Sequence, residues 1–192
     1  MFNLQTCAQP TCNTYICGDG PFCFRHSPNK NELHANCVTS LLGVKDILDL
    51  SLTGAEFEDL SIPKKEFTSS NMAWCTFRNV DFSECTFITS FFDFCLFDTC
   101  TFNGITSRYS IFSGSKMLNC DFSGSSITHT NFVGIDTLHC NFSDCDLYYS
   151  NFGTSFLRDT DFIDCNLKKA DFAHTNQRRV SFRYSNYEEA HH

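Results

Sequence analysis

Five cysteines and two histidines lie in the first 37 residues of this 192-residue sequence, and their spacing is typical of zinc ligands. Cys7 and Cys12 form one closely spaced pair, and Cys23 and His26 form another, so each pair can reach a single tetrahedral ion. The segment is poor in apolar residues, and metal binding is the usual way to stabilise such a fold. We therefore predict a zinc-binding segment over residues 1–38, with structural Zn as its cofactor. Its candidate ligands are Cys7, Cys12, Cys17, Cys23, His26, His34 and Cys37.

Within this segment, the stretch FCFRHSPNKNELHANC (22–37) is similar to the second half of B-box and AN1-type zinc fingers. Their cross-braced order implies a first ion with four ligands, Cys7, Cys12, Cys23 and His26. It implies a second ion with the ligands Cys17, His34, Cys37 and Asp19. The sequence departs from these fingers because Cys-x4-Cys replaces their common Cys-x2-Cys. One ion, two ions and a loose cap of reduced thiols therefore remain as alternatives.

The other residues with catalytic chemistry do not form a recognisable site. The sequence has no Gly-x-Ser-x-Gly motif and no phosphate-binding glycine loop. His129, His139 and His174 fall at outward positions on different faces of the repeat described below. A zinc ion with four protein ligands has no open position for a substrate. We predict that the protein is not an enzyme, and a thiol- or metal-dependent enzyme is the weakest alternative.

A five-residue period organises the rest of the chain. Counting every fifth residue from Met72 to Tyr187 gives 24 centre positions, of which 14 are Phe and six are Leu, Ile or Met. The position two residues earlier is small in 22 of 24 units, and the exceptions are Ile105 and Ile135. Both share a unit with a small centre, Ser107 or Thr137, which indicates volume compensation in a packed interior.

Each unit therefore points one large and one small side chain inward, and four units complete a square coil. The segments CDFSG (120–124), CNFSD (140–144), CNLKK (165–169) and ADFAH (170–174) resemble the pentapeptide-repeat family. That resemblance implies an all-β fold, a right-handed quadrilateral parallel β-helix, over residues 50–190. At a coil spacing of about 4.8 Å, it has about seven coils.

The start of the β-helix carries weaker signals. Ser40 is a candidate N-cap for a capping α-helix over residues 39–49, with Leu41, Val44, Ile47 and Leu48 on one face. Such a helix would cover the open N-terminal end of the solenoid. Leu60, Pro63 and Lys65 depart from the repeat pattern, so we expect an irregular ladder before about residue 67.

Eight further cysteines occupy the small inward position of the repeat, and we interpret them as apolar fillers rather than as a redox or metal ladder. They are Cys75, Cys85, Cys95, Cys100, Cys120, Cys140, Cys145 and Cys165. Thirteen cysteines without an evident export signal favour a reducing compartment, and we predict a cytoplasmic location. No apolar run reaches the length of about 20 residues that a membrane span requires.

The charge of the chain limits its partners. Acidic residues outnumber basic ones by 22 to 14, which argues against direct nucleic-acid binding. We predict a rigid acidic rod that acts as an interaction scaffold for an unknown protein partner. The alternative is implied by the resemblance, since one branch of the pentapeptide-repeat family mimics DNA: a DNA mimic that binds DNA gyrase or another type II topoisomerase and protects it from inhibitors. A homodimer through the C-terminal coil and a self-capped monomer are both open, and we assign no function to His191 and His192.

Overall fold

The computed structural model describes residues 5–192, so the first four residues of the predicted 1–38 segment lie outside it. A cap contains a 3-10 turn (Phe24–His26) and one helix, α1 (Lys30–Gly43). No helix in the described range has the length and apolar character that a membrane crossing needs. The strands of that range are β1 (Asp46–Leu48), β2 (Glu56–Glu58), β3 (Glu66–Thr68), β4 (Thr76–Arg78), β5 (Thr86–Ile88), β6 (Leu96–Asp98), β7 (Thr106–Arg108), β8 (Lys116–Leu118), β9 (Ser126–Thr128), β10 (Asp136–Leu138), β11 (Phe156–Arg158) and β12 (Asn176–Arg178).

All strand pairs are parallel, and paired residues lie one coil apart, as Phe77 and Phe97 do. One sheet has the order β1-β3-β5-β7-β9, and the other has the order β2-β4-β6-β8-β10-β11-β12. The two sides between the sheets are joined by isolated parallel bridges, such as Ser51 to Asn71 and Ser61 to Asp81. The predicted all-β, four-sided parallel β-helix of about seven turns is therefore confirmed.

The interior is filled by the centre residues. Centre residues 20 positions apart in the sequence stack above one another in a column along the rod. Phe122 stacks between Phe102 and Phe142, with ring centroids 4.4 and 4.5 Å away. Phe132 meets Phe122 edge-on at 6.3 Å, which is a favourable aromatic arrangement. Where Ser107 replaces a large centre, its hydroxyl lies 3.0 Å from that of Thr130, so the buried polar group has a partner.

The corners are the turns between successive five-residue units. Each corner contains one residue whose backbone has the left-handed conformation. Every fifth residue from Asp49 to Tyr184 has a positive φ, although only a few of these residues are glycine. The Asp or Asn before the centre supports the turn, because Asp81 Oδ1 accepts a hydrogen bond from Ser83 N at 2.9 Å. Asn131 Oδ1 does the same for Val133 N at 2.8 Å. These carboxylates and amides therefore stabilise the turns locally.

The predicted bounds of the capping helix, residues 39–49, are wrong. The helix begins at Lys30 because the Asn29 side chain accepts from Glu32 N at 3.3 Å and caps it there. Ser40 instead donates its hydroxyl to Asn36 O inside the helix. The helix still covers the N-terminal end of the rod, since Leu41 is fully buried in the continuous core.

The expectation of an irregular ladder before residue 67 is also wrong. The β-helix begins at β1, whose Asp46 pairs in register with Glu66, and Ile47 is already an inward centre. Lys65 stands at a small inward position but is only half-buried. Its ammonium donates to Leu42 O at 3.0 Å and also to Val44 O. The lysine thereby satisfies carbonyls at the end of α1, and the coil remains regular.

Candidate metal centre

The backbone of the cap brings Cys7 and Cys12 to the same side of a short loop. Cys7 N donates to Thr14 O at 2.9 Å, and Ile16 N donates to Gln5 O at 3.0 Å, so the two arms of the loop pair. Between them Thr11 adopts a φ of 66°, which turns the chain immediately before Cys12. The Cys-x4-Cys spacing is thus the spacing of a hairpin-like turn.

The second pair of candidate ligands is set by the 3-10 turn. His26 N donates to Cys23 O at 3.0 Å, so one turn places both side chains on the same face. Ala8 N donates to Pro21 O at 2.8 Å, which holds the chain entering this turn against the first loop.

Together these elements place four ligand atoms, from Cys7, Cys12, Cys23 and His26, within 4.8 Å of one another. His26 Nδ1 lies 3.6 Å from Cys7 Sγ and 3.4 Å from Cys23 Sγ. With ordinary Zn–S and Zn–N bond lengths, tetrahedral ligands S and N stand about 3.6 Å apart. The donor set and its separations therefore fit a tetrahedral divalent metal ion.

The protonation of the cluster also suits metal binding. Hydrogen bonds from the backbone and side chain of Thr14 lower the pKa of the half-buried Cys12 thiol to about 6. Burial raises the pKa of Cys23, so this thiol stays protonated until a cation compensates for its charge. A metal ion would displace that proton on binding.

The other candidate ligands are only partly brought together. Cys17 Sγ and Cys37 Sγ lie 3.5 Å apart, buried between the cap loop and α1. No third ligand atom joins this pair within residues 5–192. His34 packs its ring against that of Phe57, with centroids 6.1 Å apart, and Asp19 is exposed. The structure therefore assembles the first predicted ligand set and leaves the second as an isolated thiol pair.

The repeat cysteines behave as small buried residues. Cys85 Sγ donates to Ile62 O at 3.1 Å, a bond that Ser115 reproduces with Phe92 O at 2.7 Å in another unit. Burial raises the pKa of Cys85 and Cys145 to about 12, which makes both thiols poor nucleophiles. None of these eight cysteines forms a disulfide bond within residues 5–192.

The cap is attached to the first coil by specific contacts. Gly18 N donates to Ser51 O at 2.8 Å, and Ser51 Oγ donates to Ile16 O at 2.9 Å. Cys17 and Leu52 form an antiparallel bridge. The Cys/His cluster therefore lies on a segment that is continuous with the rod.

Sequence analysis missed one surface feature near this cluster. Trp74 and Phe94 are exposed, and their rings stack at 4.4 Å. The signal was present, because large aromatic residues occupy an outward turn position in two successive coils.

The fold and the cap define a β-solenoid protein with a Cys/His cluster at its N-terminus. Residues 115–192 match the family model described as the pentapeptide repeat region. The five-residue register continues unbroken from β1 to the C-terminus, so the β-helix extends beyond the matched residues.

Several solved structures are similar to this chain, and no curated protein matches it significantly. QnrB1, a plasmid-mediated fluoroquinolone resistance protein, is 16% identical, with a TM-score of 0.44 over 76% of this chain and 78% of that one. HetL from the cyanobacterium Nostoc, involved in heterocyst differentiation regulation, is 10% identical, with a TM-score of 0.24 over 80% and 91%. A thylakoid-lumen pentapeptide-repeat protein of Arabidopsis thaliana is 22% identical, with a TM-score of 0.25 over 58% and 61%.

Proposed function

We propose that this protein is a non-enzymatic interaction scaffold, an acidic β-helical rod whose N-terminal cap is held by one structural zinc ion. The observation that carries the proposal is the convergence of four ligand atoms, from Cys7, Cys12, Cys23 and His26, within 4.8 Å. Four protein ligands leave no open coordination position, so the ion has a structural role.

The cap needs such an ion because its own core is small. In residues 5–29 the buried apolar side chains are Ile16 and three of the cysteines. A metal ion bound only in the folded state adds its binding free energy to the stability of this segment. The rod, by contrast, is stabilised by its packed interior. Its outer surfaces are therefore the candidate binding sites, as in other solenoids that present extended binding faces.

The test of the metal is elemental analysis of protein purified without chelator and without an affinity tag. We expect one zinc ion per chain, and Cys23→Ser should lose it. Cys85→Ser is the matched control, because serine already makes the equivalent bond at Ser115. Absence of metal, or retention of zinc by Cys23→Ser, would contradict the proposal. Two ions per chain would instead favour the second predicted set, with Cys17 and Cys37 at its centre.

Two further expectations about partners remain predictions. A DNA mimic of gyrase or topoisomerase requires an acidic surface, and residues 51–190 carry 18 acidic and 11 basic residues. Inhibition of supercoiling by purified gyrase would test this role. A homodimer through the C-terminal coil agrees with the exposure of Tyr184, and sedimentation of Tyr184→Asp would test it. The unpaired cysteines support a reducing, cytoplasmic location.

A further inference from the structure

A groove of about 750 Å³ lies where the cap meets the rod. We call it the junction groove. One wall comes from the loops that carry the metal ligands, residues 12–15 and 23–26, and the other from outward positions of the first coils. Its rod wall includes Ala73, Trp74 and Asp93. The metal cluster therefore fixes one wall of the groove while the β-helix fixes the other.

An aromatic platform adjoins the rod wall: Trp74 lines the groove, and Phe94 stacks against Trp74 from outside the lining. Trp74 is 60% exposed and Phe94 is 49% exposed, and their rings stack with an interplanar angle of 17°. Both residues sit at left-handed corners, with φ values of 62° and 56°, a conformation that bulky side chains seldom adopt. In the same column the chain uses glycine at Gly54 and Gly114. Exposed rings at costly backbone positions contribute little to the core, so they point to contact with another molecule.

A carboxylate without a cation adjoins this platform. Asp93 precedes Phe94, and its carbonyl accepts from Trp74 N at 2.9 Å, so the three residues are held together. No basic group of residues 5–192 forms an ion pair with Asp93, and Arg25 on the opposite wall does not reach it. Partial burial raises the pKa of Asp93.

We propose that the junction groove binds an arginine side chain presented by an extended segment of a partner protein. This inference rests on the proposed scaffold function and names the partner chemistry of one surface. A guanidinium can pair with the Asp93 carboxylate through two parallel hydrogen bonds while its flat face stacks on the side of the Trp74 ring that Phe94 does not cover. Tyr15, which is 37% exposed, adds an aromatic ring on the cap wall.

Charge and shape both favour arginine over the alternatives. The net charge of −8 attracts a basic segment and repels an acidic one. A lysine ammonium is a compact point charge that pairs with a carboxylate but lacks the planar face for stacking. A neutral apolar segment would leave the Asp93 carboxylate buried without a partner, which costs binding free energy.

The test uses Trp74 as a built-in reporter, because it is the one tryptophan of the sequence. Capped nonapeptides of glycine and serine with a single central arginine, lysine or citrulline are titrated into zinc-loaded full-length protein. The arginine peptide should give a saturable change in Trp74 emission. Citrulline, which has the same shape without the charge, should bind at least fivefold more weakly, and lysine at least threefold more weakly.

Two variants separate binding from folding. Asp93→Asn should weaken the arginine peptide at least fivefold, and Asp98→Asn, which changes a carboxylate on another face of the same coil, should not. Equal binding of the citrulline peptide, or an unchanged affinity of Asp93→Asn, would overturn the inference. So would a concentration-dependent Trp74 emission that tracks dimer formation in sedimentation, because a second copy would then occupy the groove.

Metal analysis of the same sample distinguishes this inference from the proposed function. If zinc-loaded protein does not bind the arginine peptide, the groove assignment is overturned. The proposal of a scaffold with a zinc-stabilised cap would then still stand. Protein that holds no metal yet binds the peptide would overturn the zinc cap alone.

Discussion

At the scale of single residues, the acidic groups at the corners stabilise the fold through hydrogen bonds. Asp121 accepts from Ser123 N at 3.0 Å, from Asn103 Nδ2 at 2.8 Å and from Asn141 Nδ2 at 3.1 Å. Partial burial alone would raise the pKa of Asp121, but these donors outweigh it and the pKa is lowered. Neighbouring coils are thus linked by a charged acceptor as well as by the backbone ladder.

This shift predicts a pH dependence. Because the pKa of Asp121 is lower in the folded state, its contribution is present above about pH 4 and is lost as pH falls through the folded-state pKa. Asp121→Asn should lower the free energy of unfolding by about 1 kcal/mol at pH 7, and the difference should narrow below about pH 4. Urea unfolding across this range measures it. A deficit that stays constant down to pH 2.5 would contradict the assignment, and Asp98→Asn is the control.

The interior makes a second prediction at the residue scale. Phe122 is fully buried between two stacked rings, so Phe122→Ala should lower the free energy of unfolding by about 3–5 kcal/mol. Phe156 belongs to the same repeat but points outward and is 55% exposed, so Phe156→Ala should change stability by about 0.5 kcal/mol or less. Equal effects in chemical denaturation would show that the two positions are wrongly assigned.

At the scale of elements, the repeat was predictable because every five-residue unit packs one large and one small side chain into the interior. Because the five-residue register is continuous, it determines which side chains point inward and therefore how the coils stack. It also predicts that Ile105 and Ser107 exchange the large and the small inward position of their unit. The start of α1 was missed because Asn29 and Glu32 form the cap one turn before the apolar residues begin. Lys65 was misread because its role depends on carbonyls of a helix whose position was not known.

One part of the candidate site could be predicted from the sequence, and the other part could not. Ligand spacing and the resemblance to zinc fingers identified the set Cys7, Cys12, Cys23 and His26, because local turns decide that geometry. The junction groove could not be predicted, since its walls come from segments that meet only after the cap docks on the first coils. Nothing in the local sequence around Asp93 shows that it faces residues 12–15.

The corners offer a prediction at the element scale. Gly134 has a φ of 70°, and the nearest atom to a Cβ there would be Thr154 Oγ1 at an ordinary contact distance of 3.9 Å, so Gly134→Ala should cost only backbone strain, about 1–2 kcal/mol. Gly114 has a φ of 65°, but a Cβ there would stand 2.6 Å from the ring of Phe94. Gly114→Ala should therefore also displace Phe94 and change Trp74 emission, whereas Gly134→Ala should leave that emission unchanged. Unaltered Trp74 emission in both variants would mean that Phe94 does not lie over Gly114.

At the scale of the whole molecule, the two ends of the rod differ. The cap and Leu41 cover the N-terminal end and join the continuous core. At the C-terminal end, Tyr187 stacks on Phe182 at 4.1 Å, and His191 extends the ladder through a bridge to Asp171. Yet all three residues of β12 are exposed. The last coil therefore has less packing to protect it than the first.

This asymmetry predicts the order of local opening. In a solenoid each coil is stabilised mainly by its neighbours, so opening begins at the weaker end. Amide exchange should be slowest in the central coils, residues 82–162, and fastest in residues 176–190. A chelator should speed exchange in the first coil, residues 46–66, because it releases the cap, and should leave the C-terminal coils unchanged. Acceleration of the entire rod by the chelator would show instead that cap and rod unfold as a single cooperative unit, and the zinc ion would then stabilise every coil rather than one end.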